Sequence, residues 1–140
     1  MIVLDTNVVS ETMRPVPEPG VIDWLNCQEI ATLHLTAISL AELRYGIACL
    51  EPGRRRDDLE ARLHRMLAQV FPGRVLGFTE HAAGEYAART AEARRRGLSV
   101  GFADGAIAAV AAAAGFTVAS RDVAPFEALG INVVDPWAVA

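Results

Sequence analysis

Short apolar, β-branched runs alternate along this chain with longer segments of helical period, and that alternation constrains the fold more than any other feature. Ile2–Leu4, Leu33–Thr36, Val75–Phe78, Phe116–Ala119 and Ile131–Val134 read as buried strands near the lower limit of strand length. Between them, Pro19–Cys27, Ser39–Leu50, Arg54–Val70, Glu80–Arg96 and Ala103–Ala114 read as helices. The third of these puts Leu59, Leu63, Met66, Leu67 and Val70 on one face, with arginines and acids on the other. Thr79 is placed to cap the fourth at its start, and Gly97 and Gly115 are placed to close the fourth and fifth. Pro15 to Gly20, Glu51-Pro52-Gly53 and Phe71-Pro72-Gly73-Arg74 read as turns or loops. Strand and helix in strict turn predict an α/β domain whose parallel sheet is covered on both faces. With 140 residues and no linker, repeat or low-complexity tail, a single domain over 1–140 is expected.

Composition narrows the chemistry. All 13 cationic side chains are arginine. A chain without lysine excludes Schiff-base mechanisms and the phosphate-loop NTPases. It also excludes response-regulator receivers and haloacid-dehalogenase-type phosphatases, which need one; the second class also wants another acid where Asn7 stands. His34, His64 and His81 are scattered, and Cys27 and Cys49 lack zinc-ligand spacing, so two free thiols are expected. No apolar run reaches membrane-spanning length, and Met1-Ile2-Val3-Leu4-Asp5 has no basic leader, so a cytoplasmic protein is expected. Carboxylates, hydroxyls, arginine and a hard metal ion remain.

In open parallel sheets the site lies beyond the carboxyl ends of the strands, where strand order reverses. Asp5 follows the first strand directly, and Asp122 comes three residues after the fourth. Glu42 lies one turn into the helix after the second strand, and Asp104 sits at the start of the alanine-rich helix. Asp104 is the sole charged residue between Gly97 and Ser120. A helix apolar nearly all round is a buried helix, and an ionised carboxylate buried there needs a partner: a distant arginine or a cation. Each acid also has a plain structural reading. Asp5 and Asp122 can cap or turn the chain, Glu42 can be a solvated surface residue, and Asp104 can favour a helix N-terminus. Taken as a set they point to an acidic metal site, with Mg²⁺ or Mn²⁺ as the natural counterion.

The segments Leu4-Asp5-Thr6-Asn7-Val8-Val9-Ser10-Glu11, Ala41-Glu42-Leu43-Arg44-Tyr45-Gly46, Ala103-Asp104-Gly105-Ala106-Ile107-Ala108 and Ser120-Arg121-Asp122 resemble the PIN-domain nucleases. More narrowly, the chain resembles VapC-type toxins of type II toxin–antitoxin pairs, near the FitB-like branch. Arg14-Pro15 and the closing Asp135-Pro136-Trp137 support that branch. The resemblance implies a single PIN-like domain with a five-stranded parallel sheet and helices on both faces. It implies a metal-dependent endoribonuclease in which Asp5, Glu42, Asp104 and Asp122 match the family's four metal-holding acids. Thr6, Asn7 and Ser120 match the polar residues that support them. It implies a homodimer inhibited by a cognate DNA-binding antitoxin, whose C-terminal segment wraps the toxin. Promoter DNA is then reached only through the antitoxin.

Carboxylates gathered around divalent ions suit in-line attack of water on a phosphodiester, leaving 5′-phosphate and 3′-hydroxyl ends. No ribose 2′-hydroxyl is needed, so a preference for RNA comes from binding. An acidic chain of net charge −4 needs local cations for that. Arg44 and Arg121, next to site acids in sequence, are favoured contacts for RNA or a partner. Arg54-Arg55-Arg56 and Arg94-Arg95-Arg96 can supply a local track for RNA, and both also have ready structural roles at helix ends. The competing reading is a partner-binding corepressor that strengthens antitoxin binding to promoter DNA, with weak nuclease activity.

Overall fold

The computed structural model describes residues 1–139. Five strands, β1 (Ile2–Leu4), β2 (Leu33–Thr36), β3 (Val75–Leu76), β4 (Thr117–Ala119) and β5 (Val133–Val134), form one sheet in the order β3-β2-β1-β4-β5. Every neighbouring pair is parallel, with Val3 opposite both His34 and Val118. Seven α-helices connect the strands: α1 (Thr6–Thr12), α2 (Pro19–Asn26), α3 (Ala37–Ala48), α4 (Arg54–Gln69), α5 (Glu80–Arg95), α6 (Phe102–Ala114) and α7 (Ala124–Ala128). A single 3₁₀ turn, Ile30–Thr32, leads into β2.

Side chains alternate across a strand, and β1 shows the consequence. Leu4 joins Val8, Val9, Leu35, Leu43 and Leu63 in the core under α1 to α4. Val3 joins Ile107, Val118, Phe126 and Ile131 in the core under α6 and α7. Two apolar layers on opposite faces of a short sheet are the arrangement the alternating pattern predicts.

The five expected strands all form, and three are shorter than their apolar runs. Phe116 and Ile131 give their N–H groups to Ala111 O and Phe126 O, five residues back. Each follows a glycine in the left-handed region, Gly115 at φ 72° and Gly130 at φ 69°. These Schellman closures of α6 and α7 take the amide that would have begun the next strand. β3 stops at Leu76 because its neighbour β2 ends at Thr36, where α3 begins. A short helix, α1, does follow Asp5 with that residue as its cap, as the structural reading of Asp5 allowed, whereas α7 was not expected as an element.

The chain runs outward from β1 to β3, crosses the sheet, and runs outward again from β4 to β5. Strand order therefore reverses between β1 and β4. The residues just past these two strands are Asp5 and Ser120.

Candidate active site

Asp5 is 5% exposed, at the carboxyl end of β1, with its amide bonded to Ala119 O at 2.9 Å. As N-cap of α1 it accepts the Thr6 amide on Oδ1 at 2.7 Å. Its Oδ2 accepts the Ser120 hydroxyl at 2.7 Å and the Asn7 amide nitrogen Nδ2 at 3.2 Å. Ser120 is fully buried and its Oγ is saturated. It donates its one proton to Asp5 and accepts from Asn7 Nδ2 at 3.1 Å and from the Asp122 amide at 3.0 Å. Asn7 closes the network by accepting the Arg121 amide on Oδ1 at 3.2 Å. A carboxylate offers about four acceptor positions, so Asp5 retains one, on Oδ1.

The other acids stand on α3, on α6 and in the loop after β4. Glu42, exposed on α3, is tied to the network by the Thr6 hydroxyl, which donates to Glu42 Oε1 at 2.8 Å. Its helix is set by Thr36, whose buried Oγ1 caps α3 by accepting the Ser39 amide at 3.0 Å. Asp104 is half-buried in the first turn of α6, where the helix dipole favours a negative charge. Asp122 is exposed, in the loop that Ser120 braces.

Burial and neighbouring charge act together on two of these carboxyls. Burial pushes the Asp5 carboxyl above its ordinary range; hydrogen bonds from Ser120 and Thr6 oppose this, and the charges of Glu42 and Asp122 add to it. Burial also raises Asp104, reinforced by the charges of Asp5, Asp122 and Glu42. No arginine or histidine lies in ion-pair range of any of the four among the described residues.

No three His, Cys, Asp or Glu side chains stand close enough for a ready metal cage among the described residues. Mg²⁺ does not require one. It is commonly held by one or two carboxylates, keeps several waters and takes the rest from phosphate oxygens. The donor set here is all hard oxygen, mutually repelling and without a protein counter-charge, so it fits Mg²⁺ or Mn²⁺.

Arg44 stands apart from the acids. Two residues on from Glu42 it is turned to another side of α3, and it lines a separate cavity of about 260 Å³ with Arg56, Glu60 and His64. Arg121 is adjacent to the site, but its guanidinium lies over the Trp137 ring at 5.4 Å. Two supporting residues were missed from sequence. Thr36, with Ser39 three residues on, carried the signal of an N-cap. Glu11 is buried and holds the turn after α1 by accepting the Glu18 amide at 2.8 Å and Arg14 Nη1 at 3.3 Å. The Glu18 amide does most to keep its carboxyl below the usual range. Nothing in the spacing of Glu11 announced it.

The sequence pattern of the PIN domain matches residues 2–131. The chain is 49% identical over 137 residues to plasmid stability protein StbB of Pseudomonas syringae pv. tomato, covering 98% of this chain and 99% of that one. It is 47% identical over 137 residues to VapC ribonuclease Y4jK of Sinorhizobium fredii, with 98% of each chain covered. Toxin FitB of Neisseria gonorrhoeae is 42% identical over 137 residues, covering 98% and 99%. The crystal structure of FitAcB from Neisseria gonorrhoeae superposes with a TM-score of 0.93 at 42% identity, covering 98% and 99%. That of FitAB bound to an IR36 DNA fragment gives 0.93 at 40%, covering 98% and 96%. With the pattern and the relatives both spanning nearly its whole length, the chain belongs to the PIN-domain family, in the branch that holds VapC ribonuclease Y4jK and toxin FitB.

Proposed function

We propose that this chain is a metal-dependent endoribonuclease, the toxin of a type II toxin–antitoxin pair, that hydrolyses RNA to 5′-phosphate and 3′-hydroxyl ends. The observation that carries this reading is the buried Asp5, fixed by Thr6, Asn7 and Ser120 where strand order reverses and linked through Thr6 to Glu42. It is supported by relatives named VapC ribonuclease and toxin. Asp5, Glu42, Asp104 and Asp122 would hold Mg²⁺ or Mn²⁺. When bound, the ion supplies a Lewis acid that eases deprotonation of water and offsets phosphate charge.

The chain's own residues do the rest. Ser120 and Asn7 fix the Asp5 carboxylate so that no reorganisation is needed when substrate arrives. Thr6 restrains Glu42 through its hydroxyl, and Glu42 and Asp122 are the two exposed carboxylates of the set. A cognate antitoxin inhibits the toxin by wrapping its C-terminal segment over it, and an acidic site is a ready receptor for a basic side chain. The toxin acts as a homodimer, and promoter DNA is reached through the antitoxin. The relative solved on an IR36 DNA fragment is consistent with that last step.

The test is cleavage of tRNA, rRNA and structured oligonucleotides with Mg²⁺, Mn²⁺ or EDTA, by the wild type and by Asp5→Asn and Asp104→Asn. Cleavage is expected only with a divalent ion and only in the wild type. Cleavage in EDTA, or in both variants, overturns the assignment. Growth arrest on expression of the chain alone, relieved by Asp5→Asn, supports the nuclease. Unchanged growth, with tighter promoter binding when the antitoxin is present, supports a corepressor instead.

A further inference from the structure

Beyond the four acids, several arginines line a groove of about 960 Å³ between α1, α3 and α4. Thr6 and Glu42, which are hydrogen-bonded to each other, form part of its wall, so the groove opens directly from the acidic site. Arg14, Arg54, Arg55, Arg62 and Arg65 line it, against only two carboxylates, Glu42 and Asp58. In a chain of net charge −4 this is a local reversal of sign.

The reversal has a helical cause. Positions 54, 55, 58, 62 and 65 recur at three- and four-residue spacing and share one face of α4, while Leu59 and Leu63 pack toward the core. Two of the arginines have structural duties: Arg14 bonds Glu11, and Arg62 donates to Met13 O at 3.2 Å, joining α4 to the end of α1. Arg54, Arg55 and Arg65 make no ion pair among the described residues. Between these walls lie Pro15 and Leu50, apolar lining residues that are not buried, above the core side chains Met13, Leu43 and Ile47.

We propose that this groove is the track for single-stranded RNA, with Arg54, Arg55 and Arg65 on successive phosphates and bases lying on Pro15 and Leu50. The proposal rests on the nuclease reading above. An acidic centre repels a polyanion, so affinity must come from adjoining surface, and phosphate neutralisation is the dominant source. An apolar floor suits unpaired bases, whose faces are free, better than a duplex. The arginine face of α4 from Arg54 to Arg65 runs about 16 Å along the helix axis, long enough for several nucleotides.

The experiment compares the wild type with Arg54→Ala/Arg55→Ala/Arg65→Ala and with the matching triple Arg→Lys variant, all three with the same melting temperature. For a 20-nucleotide single strand, the alanine variant should raise KM about tenfold or more, with kcat unchanged. Cleavage of a dinucleotide, too short to reach α4, should not change. Binding in EDTA, followed against salt, should lose about 2 from its log–log slope, at about 0.7 per phosphate contact on a single strand. The lysine variant should keep the wild-type slope. If the wild type cleaves RNA but the alanine variant retains its KM and slope, the groove proposal falls and the nuclease reading stands. If the wild type binds RNA and cleaves none, the nuclease reading falls while the slope still decides the groove. An alanine variant with normal RNA binding that no longer captures the antitoxin's C-terminal peptide assigns the groove to a protein and overturns the proposal.

Discussion

Ser120 shows how much one buried hydroxyl can fix. Its single proton goes to Asp5, while its lone pairs take Asn7 and the Asp122 amide. Ser120→Ala would leave a buried charged acceptor short of a donor and the Asp122 amide without its partner. The expected cost is about 1.5–3 kcal/mol, read as a lower urea midpoint with the slope unchanged. Asp104→Asn should do the opposite to stability. It removes a charge that Asp5, Asp122 and Glu42 all disfavour, so in EDTA the variant should melt higher than the wild type while its RNA cleavage disappears. A lower melting temperature in EDTA would argue against the clustering of these charges.

The same raised carboxyls set a pH dependence with a definite sign. Asp5 and Asp104 bind protons more tightly folded than unfolded. Their unfavourable contribution is therefore complete above their raised folded values and disappears as pH falls toward the ordinary value near 4. Glu11, held below its ordinary range, contributes stability that is present above that value and is lost as pH falls through its lowered folded one. In EDTA the melting temperature should rise on mild acidification from neutrality and fall again in stronger acid. A monotonic decline from pH 7 would contradict the first half of this.

At the scale of elements, helix starts place each catalytic candidate except Asp122: Asp5 caps α1, Asp104 lies in the first turn of α6, and Glu42 lies in the second turn of α3. Thr36 is the clearest case, because its hydroxyl starts α3 and so determines where Glu42 stands. Thr36→Val keeps the shape but loses the cap and should destabilise the fold by about 1 kcal/mol. If the cap also positions Glu42, cleavage at a temperature where the variant is fully folded should fall as well; unchanged kcat would separate the two roles. The long helices were legible from their 3.6-residue period, and their glycine stops were legible too. α7 was not, because 5 residues are too few to establish a period, and α1, with 7, was signalled only by its cap Asp5. The strand starts at Phe116 and Ile131 were misplaced because a helix closure competes with the sheet for one amide, and composition does not show which wins.

For the whole molecule, the order β3-β2-β1-β4-β5 brings residues more than a hundred positions apart into one hydrogen-bonded group. A divalent ion that binds only the assembled site must stabilise the fold by mass action, by about 2.7 kcal/mol at a hundredfold excess over its Kd. Mg²⁺ or Mn²⁺ should therefore raise the melting temperature of the wild type in proportion to the logarithm of its concentration. Asp5→Asn should abolish the rise. An equal rise in Asp5→Asn would place the ion elsewhere.

Local chemistry alone determined the α/β alternation, the helix stops, and the four acids as candidates, since period, caps and charge are properties of neighbouring residues. Isolation of Asp104 in an apolar helix was enough to say that it needed a partner from outside its own segment. Which partner was a tertiary matter. The sheet's reversal put Asp5 and Ser120 side by side, and the winding of α3 turned Arg44 toward Arg56 and His64 instead of toward the acids. Packing of α4 beside α1 and α3 gathered the arginines into one groove. Spacing along a chain specifies which face of an element a residue occupies, and only the packing of elements specifies what that face meets.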